Sequence, residues 1–267
     1  MTRFALGVEY DGTGFAGWQK QAGVRTVQET VEEALSRVAD GAVRVAAAGR
    51  TDTGVHAFGQ VIHFDCEKSR SADAFRRGGN AHLPADVSLV WAQEVSDTFH
   101  ARFSAHARTY RYVILNRPTR PAVWAGRVTF EYRPLDAPRM QEAAMALIGR
   151  HDFSAYRAAG CQAKSPIREV HALRIERRDA FVILTIRANA FLHHMVRNIA
   201  GVLMAIGAGE QRVAWAGDVL AGYDRNLGGV TAPADGLYFL SASYPPAFGI
   251  PCVAEHEWSY GGAPSSG

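Results

Sequence analysis

A strand pattern followed by an amphipathic helix and further strands fills the chain up to residue 100, and that order partly recurs afterwards. This recurrence restricts the fold more than any other feature. It predicts an α+β protein made of two similar halves of roughly 100 residues each, with a cleft between them. In "RFALGVEY" the apolar residues Phe4, Leu6, Val8 and Tyr10 alternate onto one face, as a half-buried strand requires. Thr26 and Glu29 have capping-box spacing, and Val27, Val31, Leu35 and Val38 then form a helical stripe to residue 39. Strands are predicted at 42–48, 58–65 and 88–95, with a helix at 72–82 between the last two. After residue 100, "TYRYVIL" reads as a strand and 136–149 as a helix with Met140, Ala144 and Leu147 aligned. Residues 168–188 read as a hairpin and 236–244 as a closing strand. A long helix is expected from near Phe191, burying Val196, Ile199, Leu203 and Ile206. The expected divisions are an N-terminal half at 1–104, a C-terminal half at 105–247 and a mobile tail at 248–267. Periodicity stops at Pro245 and the chain ends "GGAPSSG".

Composition narrows the function. Apolar residues make up 48% and charged residues 21%, a globular balance. No apolar run reaches the roughly 20 residues of a membrane span, and Glu9 interrupts any N-terminal signal sequence. A cytoplasmic protein without a membrane partner is expected. Cys66, Cys161 and Cys252 are far apart, and no zinc-type spacing occurs. His193 and His194 are adjacent, and on a helix they would point about 100° apart, a poor chelate. They are expected to pack and hydrogen-bond, so no metal is expected.

Net charge is only +3, yet of 29 cationic residues only Lys20, Lys68 and Lys164 are lysines. Arginine is suited to two-point phosphate contacts and to stacking on bases, although a GC-rich genome produces the same bias. Position says more. The stretch 101–120 holds Arg102, Arg108, Arg111, Arg117 and Arg120 with Tyr110 and Tyr112, and no acid. Cations interleaved with aromatics fit an RNA surface.

"DGTGFAGWQ" contains a G-x-G-x-x-G pattern at Gly12, Gly14 and Gly17. A dinucleotide site needs the last glycine inside the following helix, where its N-terminus meets the pyrophosphate. Here the helix is capped only at Thr26, and Glu29, Glu32 and Glu33 lie inside it. That reading fails, and the glycines are expected to form a tight, exposed loop.

The remaining charged turn is "AAAGRTDTGVHAFGQ", 46–60, which lifts Arg50 and Asp52 out of an apolar strand between two glycines. A surface turn could look the same. However, "GRTDTGVHA" (49–57) resembles the signature of the tRNA pseudouridine synthase A (TruA) family. Further similar blocks follow in family order: "EYDGTGFAGWQ" (9–19), "FHARFSAHARTYRY" (99–112), "FLHHMVRNIAG" (191–201) and "TAPADGLYF" (231–239). The resemblance covers about 3–245. One departure is Thr53, where the family usually has Ala, which puts a hydroxyl beside the key Asp.

The resemblance implies the pseudouridine synthase fold, with largely antiparallel mixed sheets flanking a central RNA-binding cleft. It implies an isomerase that converts uridine to pseudouridine at positions 38, 39 and 40 of the tRNA anticodon stem-loop. It also implies a homodimer and no cofactor. Carried over residue by residue, it implies Asp52 as the catalytic carboxylate, with Arg50 beside it and Arg197 as its partner. Tyr110 then stands in the uracil pocket, and Leu237 lines the site.

Physically, the isomerisation breaks C1′–N1, turns the uracil and joins C5 to C1′, which calls for no redox group or ATP. A carboxylate can attack at C1′ or C6, or take a proton if a glycal forms. A paired uridine must first leave the stack, at a cost of a few kcal/mol, and Arg50 is placed to fill the gap or hold the backbone. His56 either hydrogen-bonds the Asp52 loop or merely packs. The competing function is a non-catalytic RNA-binding module, which needs the basic surface but no Asp–Arg pair. A glycosidase would need a second acid near the first, and none recurs in a comparable setting.

Overall fold

The computed structural model describes residues 1–251. Its elements, in chain order, begin with β1 (Thr2–Tyr10), α1 (Val27–Ala39), β2 (Ala46–Ala47), β3 (His56–Cys66), α2 (Ala72–His82) and β4 (Val87–Val95). The second part contains β5 (Ala107–Asn116), β6 (Thr129–Glu131), α3 (Ala137–Ala144), β7 (Gly149–Asp152) and β8 (Ile167–Arg178). It ends with β9 (Phe181–Ala188), α4 (Met195–Gly207), α5 (Trp215–Gly222) and β10 (Leu237–Ser243).

The strands form one continuous ten-stranded sheet in the order β4-β1-β3-β10-β5-β9-β8-β7, with β2 on β3 and β6 on β5. Nearly every pairing is antiparallel. The exceptions are β5 with β6 and, at the centre, β3 with β10, where Tyr238 lies opposite His56. The last strand is thus inserted between β3 of the first half and β5 of the second.

Period-2 alternation sorts the side chains. Tyr110, Tyr112 and Ile114 of β5 join Leu237 and Phe239 of β10 in the large core that also holds α1 to α5, while Val113, Leu115 and Tyr238 form a smaller cluster on the other face. On the large core, Phe75 of α2 packs on Phe4 and Phe64 at ring separations of 4.8 and 5.0 Å. Burying one such side chain stabilises by about 1.5–3 kcal/mol.

Several expectations need correction. Thr26 is the N-cap of α1, but its side chain caps nothing and its Oγ1 is buried without a partner. Glu29 instead pairs with Lys20 at 2.9 Å, and carbonyls of the glycine loop do the capping. Gly17 accepts from Val27 N–H at 3.2 Å and Trp18 from Gln28 N–H at 3.0 Å. That loop is only partly exposed, since Gly12, Phe15, Gly17 and Trp18 are buried. The helix expected over 136–149 stops at Ala144, tightens into a 3-10 turn at Met145–Leu147 and becomes β7. The strand expected over 42–48 shrinks to two residues, and α4 begins at Met195 rather than Phe191. The start of the expected tail is packed, with Phe248 against Phe99 at 5.2 Å and accepting from Gln93. Residues 252–267, including Cys252, lie outside the described residues. No helix among the described residues is long and apolar enough to cross a membrane.

The arginines of 101–120 do not form one surface. Arg108 is turned inward and donates to the carbonyls of Ala48, Ala105, Asn189 and Arg102. Arg111 is buried at 7% exposure within the sheet. Burial without an acid partner pushes the Arg108 guanidinium below its ordinary value. Its work is to tie the stem of the Asp52 loop to the segment leading into α4.

Candidate active site

The Asp52 turn is held from three directions. Gln60 of β3 brackets Gly49, donating to its carbonyl at 2.7 Å and accepting from its N–H at 3.4 Å. Thr51, buried, meets the Tyr10 hydroxyl at 2.7 Å and accepts from Trp18 N–H at 3.0 Å. Val55 N–H closes the turn onto the Asp52 carbonyl at 3.1 Å. Gly12 and Gly17 are required by this packing. A Cβ on Gly12 would stand 2.0 Å from the Val55 carbonyl oxygen, and one on Gly17, at φ +90°, 2.8 Å from that of Thr51. His56 closes the back of the turn. It accepts from Gly12 N–H at 3.0 Å, lies 3.2 Å from the Asp235 carbonyl and stacks on Tyr238 at 4.6 Å. Burial lowers its pKa, which favours the neutral ring whose Nδ1 accepts from Gly12 while its Nε2–H donates to the Asp235 carbonyl.

The second half contributes the start of α4. Leu192 accepts from Met195 N–H at 3.0 Å, and His194 sits in the left-handed region at φ 59°. This tight turn aims two side chains at Asp52. His193 Nε2 is 3.2 Å from Oδ1 and His194 Nε2 is 3.3 Å from Oδ2, while Arg197 Nη1 is 3.8 Å from Oδ2. Arg197 is fixed by its Nε, which donates to the Ala232 carbonyl at 2.8 Å. Burial, ahead of the opposing pull of Asp52, lowers the His194 pKa, and Arg197 adds to that lowering.

The histidine pair is the main correction to the sequence reading. Neither residue is inside a helix, so the 100° argument does not apply, and both converge on the carboxylate. The signal missed was the short "FLHH" turn ahead of an otherwise apolar helix. Their ring nitrogens and the Asp52 carboxylate lie within 4.8 Å of one another, a donor set that a divalent cation could use. Metal-bound imidazoles normally donate their other nitrogen to an orienting acceptor. Among the described residues neither histidine does so, and Arg197 adds like charge. The geometry is that of one carboxylate held between two imidazoles and a guanidinium.

The other expected residues divide. Tyr110 is brought to the site. Its ring meets Phe191 edge-on at 5.0 Å, its hydroxyl stands beside Gly49, and burial followed by nearby Tyr10 and Asp52 raises its pKa. At 8% exposure it leaves little ring surface open for stacking on a base. Tyr112 is core, its hydroxyl 2.8 Å from the Pro233 carbonyl. Arg50 is exposed and forms no ion pair among the described residues. Leu237 is buried opposite Tyr112 at the start of β10 and does not join the charged cluster. Thr53 is exposed, and its hydroxyl makes no hydrogen bond among the described residues.

Residues 7–104 and 143–245 match the family model described as tRNA pseudouridine synthase. The chain belongs to the tRNA pseudouridine synthase family. Relatives named tRNA pseudouridine synthase A bear this out. The protein from Methylococcus capsulatus is 57% identical over 95% of this chain and 94% of its own. That from Nitrosococcus oceani is 57% identical over 93% and 96%, and that from Pseudomonas aeruginosa 55% over 94% and 88%. The α+β architecture, with its large and mostly antiparallel sheet, is accordingly a pseudouridine synthase fold.

Proposed function

We propose that this tRNA pseudouridine synthase acts on uridines 38, 39 and 40 of the anticodon stem-loop, with Asp52 as its catalytic carboxylate and without a cofactor. The observation that carries the reading is the cluster at Asp52. One carboxylate stands on a rigid turn, with an imidazole beside each oxygen and a guanidinium at 3.8 Å. A carboxylate held in this way can attack C1′ or C6 of uridine, or take the proton that a glycal route releases. Arg197 and the histidines offset the cost of bringing it against an uncharged base. Tyr110 is read as a wall of the uracil site, and its hydroxyl, which makes no hydrogen bond among the described residues, as a group for proton transfer. Arg50 meets the RNA that must release its base, and Leu237 supports the pocket through the core.

The reading carries with it a cytoplasmic homodimer that holds each tRNA across both subunits. Pseudouridine mapping in tRNA after incubation with the purified protein tests it. Product at 38–40 is expected, and binding that weakens steeply with salt. Binding without product would leave a non-catalytic RNA module, and free uracil would mean glycosidase chemistry.

A further inference from the structure

A concavity of about 300 Å³ is lined by Ser154, Arg157, Ala158, Tyr223, Asp224 and Arg225, among others. We propose that it receives a nucleotide next to the target uridine, with the phosphate on Arg157 and the base against Tyr223. The inference rests on the tRNA substrate proposed above.

The pocket and the Asp52 cluster share their supports. Ala158 N–H donates to the His193 carbonyl at 2.9 Å, so the pocket floor is latched to the residue beside Asp52 Oδ1. Asn198, next to Arg197 on α4 and 2% exposed, holds both walls. Its Nδ2 donates to the Tyr156 carbonyl at 2.8 Å, and its Oδ1 accepts from Arg225 Nη2 at 3.1 Å. Thr231 Oγ1 accepts from the same Nη2 at 2.9 Å. The positive charge of Arg225 reaches His194, where it helps lower that residue's pKa. The two sites are therefore neighbours across one turn of α4.

The lining has the chemistry of nucleotide recognition. Arg157 is half-buried and makes no side-chain hydrogen bond or ion pair among the described residues. Among the described residues, Arg225 is fixed by neutral partners alone. The one acid, Asp224, is engaged by Asn226 N–H at 2.9 Å and leaves the lining net positive. Tyr223, at φ 55°, is 62% exposed and offers a ring to the opening. A half-buried guanidinium with no ion pair among the described residues, beside an exposed aromatic, is what a splayed strand uses for its phosphate and its base. On this reading, an RNA with its target uridine at Asp52 presents the adjoining phosphate and base to this neighbouring lining.

The test measures tRNA affinity against salt for the full-length protein and for Arg157→Ala, Tyr223→Ala and Tyr223→Phe. Arg157→Ala is expected to weaken binding about three- to tenfold and to reduce the slope of log K against log salt by about one. Tyr223→Ala is expected to weaken binding at least about fivefold, and Tyr223→Phe to restore it. A second arm uses an anticodon stem-loop with one uncharged methylphosphonate beside the target uridine. Wild type should lose the Arg157→Ala factor on this RNA, and Arg157→Ala should lose nothing more. Wild-type affinity and slope in both alanine variants, or additive losses in the second arm, would overturn the subsite while pseudouridine formation by wild type still upheld the proposed activity. If wild type itself formed no pseudouridine, the parent reading would fail instead.

Discussion

His194 stands with its Nε2 3.3 Å from Asp52 Oδ2, from a backbone in the left-handed region at φ 59°. Such a conformation costs a non-glycine residue of order 1–3 kcal/mol. Here it is what turns both adjacent histidines onto one carboxylate, and it separates the cost of the turn from the value of the contact. His194→Asn, which suits the left-handed region, should keep urea-denaturation stability within about 1 kcal/mol of wild type. It should still lower the single-turnover rate at least about tenfold, because the imidazole at Oδ2 is gone. His194→Val should lose stability as well. Unchanged turnover in the Asn variant would remove the histidine from the site's function.

Asp52→Asn replaces the carboxylate by an amide of nearly equal size. Binding of tRNA should stay within about threefold, while pseudouridine formation falls at least about a thousandfold, since the amide is a poor nucleophile and base. Gel-shift affinity and single-turnover product yield check the two parts separately. Residual turnover near wild type would displace Asp52 from its role.

Arg50 and Arg197 should separate by target. Arg50 is exposed, so Arg50→Ala should slow modification most at a uridine paired in the stem, where unpairing costs a few kcal/mol. Arg197 instead contacts Asp52 and the Ala232 carbonyl, so Arg197→Ala should slow every target alike. Arg197→Lys should recover only part of the rate, because one ammonium cannot serve both contacts in fixed geometry. Single-turnover rates on stem and loop targets decide the matter, and a stem bias in Arg197→Ala would reverse the roles.

Gly12→Ala drives a Cβ to 2.0 Å from the Val55 carbonyl oxygen, on backbone that has no free rotamer to yield. Destabilisation of about 1–3 kcal/mol or more is expected, together with loss of turnover as the Asp52 turn shifts. Gly23→Ala is the control. That residue also has a positive φ, of 77°, but nothing lies near its Cβ position, so it should show backbone strain alone and keep its turnover. Thermal denaturation and single-turnover rate measure both effects.

Acid should loosen the fold through His63. Burial first, then the positive charges of His100 and Arg3, hold its pKa down at about 4, against the opposing charge of Asp65. The folded state therefore binds this proton less readily than the unfolded chain, whose histidines titrate near 6.5. The stabilisation is complete above pH 6.5 and is lost as pH falls from 6.5 toward 4, by at most about 3 kcal/mol. The buried His56, with its pKa also lowered, acts in the same direction. Urea denaturation at pH 7.5 and 4.5 should show the loss, and His63→Gln should reduce it. Equal stability at the two values would count against this account.

The sequence by itself determined what depends on local pattern. Alternation in "RFALGVEY" and "TYRYVIL" defined β1 and β5 and placed Tyr110 and Tyr112 on one face. The 3.6-residue stripe defined α1 to its last residue. The charged turn at Asp52 was legible because an arginine and an acid between glycines stand out after a run of alanines. Tertiary structure decided whatever depends on partners distant in sequence. Thr26 has capping-box spacing, yet carbonyls of Gly17 and Trp18 cap the helix, so its own side chain has nothing left to do. Arg108 looks like an RNA contact in a basic stretch, but four backbone carbonyls from three segments hold it inside the protein. His193 and His194 read as helix residues until the left-handed turn at His194 aims them at Asp52, some 140 residues away in the chain. Periodicity reports which face of an element is buried. It carries no information about which distant group lies opposite, because that is set by strand insertion and by the packing of one half against the other.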